Sequence, residues 1–226
     1  MGEVELRPNN NLLIIHAVII IYGEAANDGL AVQIAADIEK FWNDAEGKAA
    51  IRDGWFSKKI YDVKFNITGK YDPQLTPQTV FENTDPRNNY FRVEEFAHGD
   101  ISFVDAINSN TGYFKLQNIL DNSTTAAHEF GHTLGLVHPT HLDIRGQGTP
   151  GIMYPRGTLV DPHFQYDPQI AAGEKGGTLN PFTRKVLQKD IDDLRLDDLA
   201  YNKEGFAMIG AFSSLWHEKY LPGTDQ

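Results

Sequence analysis

Three histidines and one glutamate lie within eleven residues of this chain, at spacings that suit metal chemistry. Residues 128 to 138 read His-Glu-Phe-Gly-His-Thr-Leu-Gly-Leu-Val-His. His128 and His132 are four residues apart, so on a helix they share one face and can bind one metal ion. Gly135 tolerates a positive φ, which lets the chain turn after the helix and return His138 as a third ligand. Three neutral imidazoles favour zinc and leave a fourth tetrahedral position open for water.

Glu129 follows the first of these histidines and is expected to point toward the open position. A carboxylate there can take a proton from the water, so Glu129 is predicted to be a general base and not a ligand. The short motif H-E-x-x-H is common, whereas the added glycine and third histidine make the long form specific. The alternative is a surface helix with incidental histidines, or core histidines bonded to the backbone. It does not explain why all five residues fall in register.

Length and composition favour a single domain. The chain has 226 residues, is 41% hydrophobic and carries a net charge of −11. We expect a single catalytic domain over residues 1–226, with a core from about 12 to 196 and an extension, 197–226, of unassigned role. The acidic balance and the lack of basic runs argue against nucleic acid as a partner, and no membrane association is expected. Cysteine is absent, which excludes disulfides and thiolate ligands.

The apolar run at residues 12 to 22 has two interpretations. It is rich in isoleucine and too short to span a bilayer, which favours a buried strand. A secretory signal is the alternative, but the run contains His16 and lacks a basic flank. We expect a protein that is secreted or delivered outside the producing cell, either as a mature form or by a route that needs no such signal.

Periodicity predicts most of the elements around the histidines. A helix is expected from a cap at Asn27 or Asp28 to about Asn43. Strands are expected at residues 61 to 68 from their alternation, and at 90 to 96, 101 to 104 and 112 to 116. The helix with the histidines should run from about residue 125 to 134. Residues 143 to 181 read as a long irregular segment, followed by a helix beginning at Pro181 and one more around residues 206 to 216.

The histidine run matches the long zinc-binding motif of the metzincin clan of metallopeptidases. Residues 151 to 155, Gly-Ile-Met-Tyr-Pro, resemble the Met-turn of that clan, in which the methionine forms an apolar floor beneath the zinc. The resemblance assigns that role to Met153. It implies an α+β fold: a twisted, mostly parallel sheet with an antiparallel edge strand, an active-site helix, the Met-turn and a C-terminal helix.

The subfamily marks within the clan are mixed. Pro139, directly after the third histidine, resembles the serralysin sequence pattern, whereas Met-Tyr-Pro at residues 153 to 155 resembles that of the matrixins. Serralysins and astacins place a tyrosine where this chain has Pro155, so no tyrosine ligand is expected. His98 and Asp100 resemble the start of a matrixin structural-metal segment, but no histidine follows before His128. We interpret them as hydrogen-bonding loop residues, with metal ligation as the alternative; structural Ca²⁺ has no residues to support it.

The resemblance implies a zinc-dependent endopeptidase that acts as a monomer on a protein or peptide substrate. The substrate would lie extended along an edge strand between residues 90 and 116, and residues 157 to 178 would shape the specificity pocket. His141 would be solvated or lie behind the ligands, since a fourth histidine would close the site. One alternative is a protease toxin or effector domain of a larger protein. Another is a non-catalytic zinc-binding interaction module, which has no chemical use for Glu129.

Overall fold

A computed structural model describes residues 1–52, 57–120 and 122–222, and within them an eight-stranded sheet is combined with four α-helices. The strands are β1 (Gly2–Arg7), β2 (Leu12–Tyr22), β3 (Lys48–Arg52), β4 (Lys58–Tyr71), β5 (Asn88–Glu94), β6 (Phe103–Val104), β7 (Thr111–Lys115) and β8 (Phe206–Ile209). The helices are α1 (Asp28–Asn43), α2 (Pro77–Phe81), α3 (Thr125–Thr133) and α4 (Gln188–Asp193).

The sheet is parallel at its centre and antiparallel at its borders. The strand order is β3-β4-β2-β5-β7-β6, in which β4, β2, β5 and β7 run parallel. β3 and β6 are antiparallel to their neighbours, and β1 pairs antiparallel with both β2 and β8. The mixed α/β class and the parallel centre agree with the sequence prediction. The prediction had one antiparallel edge strand, whereas the sheet has an antiparallel strand at each end, β3 and β6.

β2 lies at the centre because nearly all its side chains are apolar. Leu13, Ile15 and Ile19 belong to the large cluster between the sheet and the helices. Ile20 and Tyr22 face the opposite side and join a second, smaller cluster. A strand that is covered on both faces reads as a continuous hydrophobic run, which is what residues 12 to 22 show.

Helix α1 places α3 against the sheet. The Asn27 side chain caps α1 by accepting a hydrogen bond of 2.9 Å from the Leu30 backbone N–H, as the sequence predicts. At the other end Trp42 is fully buried, and its indole N–H donates to the Ala127 carbonyl of α3 at 3.1 Å. The Trp42 and Phe130 rings meet edge to face, with centroids 6.1 Å apart. These aromatic contacts fix the helix that carries the first two histidines.

Two predictions for the C-terminal region are wrong. Residues Pro181–Thr183 form one 3₁₀ turn, and the helix begins only at Gln188. The chain is extended between them because the Lys185 N–H donates to the Pro150 carbonyl at 3.0 Å. Residues 206 to 209 form β8 and no helix, since the free edge of β1 offers backbone partners there. Such long-range pairing overrides local propensity.

The packed region is wider than the predicted core of residues 12 to 196. β1 and β8 belong to the sheet, and Trp216 packs against the smaller hydrophobic cluster that contains Ile20 and Tyr22. Trp216 stacks on Tyr22 with ring centroids 4.5 Å apart, and His217 Nε2 lies 2.7 Å from an Asp105 carboxylate oxygen. The C-terminal segment therefore covers apolar residues of the sheet. Among the described residues, no helix has the length and hydropathy required to cross a membrane.

Trp216→Ala is expected to lower the free energy of unfolding by about 1–2 kcal/mol, because the stacked ring and its buried area are lost. Urea titration followed by circular dichroism measures this change. The neighbouring Leu215 is exposed, so Leu215→Ala is the matched control and should leave the urea midpoint unchanged. Equal midpoints for the wild type and Trp216→Ala would show that the segment does not stabilise the sheet.

Candidate metal centre

The three histidines of the motif converge on one point at the end of α3. Nε2 of His138 lies 3.0 Å from Nε2 of His128 and 3.1 Å from Nε2 of His132. Ligand nitrogens 2.0–2.1 Å from a tetrahedral zinc are about 3.3 Å apart, so a small widening would make room for the ion. Among the described residues, this is the group of His, Asp and Glu side chains close enough to hold a metal. The donor set and its spacing fit zinc.

Backbone carbonyls set the orientation of the two helical imidazoles. His128 Nδ1 lies 2.7 Å from the Ile152 carbonyl oxygen, and His132 Nδ1 lies 2.7 Å from that of Leu136. A carbonyl only accepts hydrogen bonds, so each Nδ1 carries the proton and each Nε2 keeps a free lone pair. Both rings are therefore held in the tautomer that binds metal through Nε2.

Arg184 also approaches His128, with Nη1 2.9 Å from Nδ1. Nδ1 cannot both donate to Ile152 and accept from a guanidinium. We assign the Nδ1 proton to the shorter contact with Ile152, because Arg184 Nη1 already has an acceptor in the Tyr154 carbonyl at 3.0 Å. The guanidinium thus lies beside the imidazole as a neighbouring positive charge.

The imidazoles are kept neutral by their surroundings. Burial lowers the pKa of His128 well below its ordinary value, and the positive charge of Arg184 adds to this effect. Burial also lowers the pKa of His132 and of His138. Neutral imidazole is the form that binds metal, so the site is ready for an ion without first losing protons.

A Schellman motif ends α3 and returns the chain to His138. The Leu136 N–H donates to the Gly131 carbonyl at 3.0 Å, and the Gly135 N–H donates to the His132 carbonyl at 3.1 Å. Gly135 has φ +100°, and a Cβ there would lie 2.4 Å from Asn108 Oδ1. The residue must therefore be glycine for two reasons, its backbone conformation and its close neighbour.

Gly135→Ala is expected to destabilise the fold by about 2 kcal/mol or more, since strain at positive φ adds to the clash with Asn108. It should also weaken zinc binding, because the Leu136 carbonyl that orients His132 moves with the turn. Gly146 has φ +75° and open space around its Cβ position, so Gly146→Ala isolates the backbone strain, about 1 kcal/mol. Thermal unfolding with and without zinc compares the two variants. Equal losses would mean that the Asn108 contact contributes nothing.

Met153 lies directly beneath α3. It is buried, and a Cβ on Gly131 would be 2.4 Å from its sulfur, so the thioether touches the helix backbone between the two histidine positions. A turn brings it there, closed by the Tyr154 N–H donating to the Gly151 carbonyl at 3.2 Å. The same turn supplies the Ile152 carbonyl that orients His128. Residues 151 to 154 thus support the site through both an apolar contact and a hydrogen bond.

A cleft of about 630 Å³ opens above the histidines. One side is the edge strand β6 with its neighbours, and the floor is α3. The lining residues are Ile101, Ser102, Phe103, Val104, Ala106, Ile107, Thr125, His128, Glu129, His132, Val137, His138, Pro155, Arg156 and Arg184. The predicted edge strand is therefore found beside the site. Residues 157 to 178 do not line this cleft, contrary to expectation, because they form a separate cluster around Val160 and Leu179.

Glu129 faces this cleft from α3 and is almost fully buried. Burial raises its pKa to about 8, while Arg184, a hydrogen bond from the Val104 backbone and Arg156 act in the opposite direction. A divalent cation at the adjacent imidazoles would lower this pKa further, since an opposite charge favours the ionised carboxylate. Glu129 is thus a carboxylate whose protonation responds to its charged neighbours.

Arg184 is the site residue that sequence reasoning missed. It is buried, and its Nε donates to Thr124 Oγ1 at 3.0 Å while Nη1 donates to the Tyr154 carbonyl. It thereby joins the start of α3 to the turn that contains Met153. Burial lowers its pKa to about 10, so it remains a cation. No motif marks it, because it reaches the site from an irregular segment more than fifty residues after the helix.

The other histidines weighed as ligands lie elsewhere. His98 contacts the Tyr220 ring, with centroids 4.5 Å apart, and Asp100 forms an ion pair with Lys115 at 2.6 Å. His141 is exposed and lies outside the three-histidine group. Asp100 thus pairs with the end of β7 and lies outside the three-histidine group.

Comparison with known proteins adds little to this geometry. No protein family matches the chain, and no curated protein matches it. Among solved structures, that of myroilysin is similar with a TM-score of 0.35 and 13% identity, over 84% of this chain and 95% of the other. A likeness of that size carries no argument, so the functional conclusion depends on the site itself.

Proposed function

We propose that this chain is a zinc-dependent endopeptidase of the metzincin type. One observation carries the proposal: three neutral imidazoles converge through Nε2 beside the buried Glu129, at the floor of an open cleft. The turn beneath α3, with Met153 against the helix, supports the assignment of residues 151 to 155 as a Met-turn. The protein is proposed to act as a monomer outside the producing cell, on a protein or peptide substrate.

The residues of the chain have distinct parts in this reaction. His128, His132 and His138 would hold the ion. Zinc, when bound, is a Lewis acid that activates water and polarises the substrate carbonyl. Glu129 accepts a proton from the attacking water and then delivers it to the amine that leaves, so the peptide bond is cleaved with net uptake of one water molecule. β6 lies at the end of the sheet, where an extended substrate can add as a further strand.

The cleft and Glu129 favour catalysis over the non-catalytic zinc module. A module that only binds a partner has no chemical use for a buried carboxylate beside the metal, since burying it costs free energy. The proposal that the chain is a toxin or effector domain of a larger protein changes its biological role and leaves the same chemistry in place.

Zinc dependence tests the proposal. The purified protein is dialysed against a chelator, reloaded with zinc, and incubated with a permanently unfolded protein, carboxymethylated α-lactalbumin. We expect one equivalent of bound zinc, cleavage by the zinc-loaded form, no cleavage after chelation, and recovery when zinc is restored. A protein that binds one equivalent of zinc and leaves the unfolded substrate intact would overturn the peptidase assignment.

A further inference from the structure

The charge of the cleft is opposite to the charge of the chain. The chain has a net charge of −11, yet the charged side chains lining the cleft, apart from the histidines, are Glu129, Arg156 and Arg184. Glu129 is assigned to proton transfer, and the proposed reaction gives no role to the two arginines. The remaining surface is largely apolar, with Phe103 and Val104 on one side. A positive region inside an acidic protein is a feature that can select a ligand.

The two cleft arginines differ from most of those elsewhere in forming no described ion pair within 4.0 Å, although the charge of Glu129 acts on Arg184 from farther away. Five of the six arginines outside the cleft lie within 4.0 Å of an Asp or Glu oxygen, namely Arg7, Arg87, Arg92, Arg145 and Arg195. Among the described residues, neither Arg156 nor Arg184 has such an ion pair. Arg156 is exposed at the rim, and its described hydrogen bond is a long one, 3.5 Å, to Asn118 Oδ1.

Arg184 is the stronger evidence for a bound anion because its side chain is buried, with 5% of the residue exposed. A buried charge is costly unless a counter-charge or hydrogen bonds offset it. Its described hydrogen bonds use Nε and Nη1, and both acceptors, Thr124 Oγ1 and the Tyr154 carbonyl, are neutral. Nη2 takes part in none of the described hydrogen bonds, so donors of this guanidinium remain for a ligand in the cleft.

We propose that Arg156 and Arg184 bind a carboxylate of the substrate next to the scissile bond, so that the enzyme prefers aspartate or glutamate there. This inference rests on the proposed function, and it names the class of substrate. Guanidinium groups pair with carboxylates through two parallel hydrogen bonds, which add both energy and geometric specificity. The carboxylate is proposed to come from a side chain. A C-terminal carboxylate has the same chemistry and is distinguished by the test below.

Cut-site mapping gives the first measurement. The zinc-loaded protein is incubated with a random peptide library whose termini are acetylated and amidated, and the products are sequenced by mass spectrometry. We expect Asp and Glu to be enriched within two residues of the cut. Peptides made for the best site, with Glu or Gln at that position, should differ about tenfold or more in kcat/KM, as a lost hydrogen bond to a charged group implies. Cleavage without acidic enrichment overturns the inference and leaves the peptidase assignment standing.

A charge-reversal variant links the preference to the cleft. Arg156→Glu should reduce the Glu-to-Gln ratio of kcat/KM to about one or below. Lys64 is exposed on β4 and does not line the cleft, so Lys64→Glu makes the same change in net charge and should keep the wild-type ratio. An unchanged ratio in Arg156→Glu contradicts the role of this residue. Arg184→Lys retains the charge but lacks the paired N–H donors of the guanidinium. It should lower the Glu-to-Gln ratio of kcat/KM, with circular dichroism showing that the variant is folded.

Binding separates this inference from the peptidase assignment. A fluorescein-labelled acidic peptide is titrated with the zinc-loaded Glu129→Gln protein, and anisotropy is compared for the Glu and Gln forms, each as an amide and as a free acid. Tighter binding of the Glu form in both states supports side-chain recognition. A gain only for the free acids would assign the arginines to a C-terminal carboxylate and overturn the inference. Acid-selective binding without cleavage by wild type would retain carboxylate binding in the cleft, and it would reject the peptidase together with any preference at a scissile bond.

Discussion

Glu129→Gln is expected to lower kcat/KM for peptide cleavage by about 10²–10⁴-fold while the protein still binds one equivalent of zinc. Glutamine has nearly the same shape as glutamate and cannot accept the proton of water at neutral pH. The side chain is nearly fully buried in the cleft floor, so an isosteric change should leave the packing of α3 intact. Zinc content, circular dichroism and rates of peptide cleavage are measured on the same preparation.

The control for this variant is a glutamate that lies away from the cleft. Glu95 is exposed and does not line the cleft, so Glu95→Gln should cleave peptide at the wild-type rate. A Glu129→Gln protein that binds zinc and cleaves as fast as wild type would remove Glu129 from proton transfer. Loss of zinc from the variant would instead assign the carboxylate to metal binding.

Local sequence patterns were sufficient for the parts of the fold that depend on near neighbours. The apolar run of β2 predicts a buried strand because a strand covered on both faces needs apolar residues at successive positions. The cap at Asn27 and the spacing of Leu30, Ile34 and Ile38 predict α1 within a residue of its bounds. The convergence of the three histidines follows equally from spacing, since a helix and a glycine turn leave little freedom over eleven residues.

Long-range contacts explain what the sequence did not predict. β8 forms because the edge of β1, some two hundred residues earlier, offers hydrogen bonds to Phe206–Ile209. Arg184 reaches the site because Lys185 pairs with Pro150, which holds the chain extended beside the turn below α3. Neither partner can be identified from periodicity, because the energy of such pairing lies between segments and not within either one. The convergence of the three histidines was thus predictable, whereas the arginines proposed to select the substrate were not.

His138→Ala is expected to weaken zinc binding by more than about 100-fold. Loss of residues that merely orient ligands costs 10–100-fold, and loss of a ligand should cost more. His138 is exposed and follows the turn at Gly135, so its replacement should leave the buried α3 folded. His141→Ala is the matched control, because this exposed histidine lies three residues later and outside the group. Competition with a chromogenic chelator measures affinity, and zinc should raise the melting temperature of wild type and His141→Ala but not of His138→Ala. Equal affinity in all three proteins would exclude His138 as a ligand and reduce the site to two imidazoles, too few for the proposed chemistry.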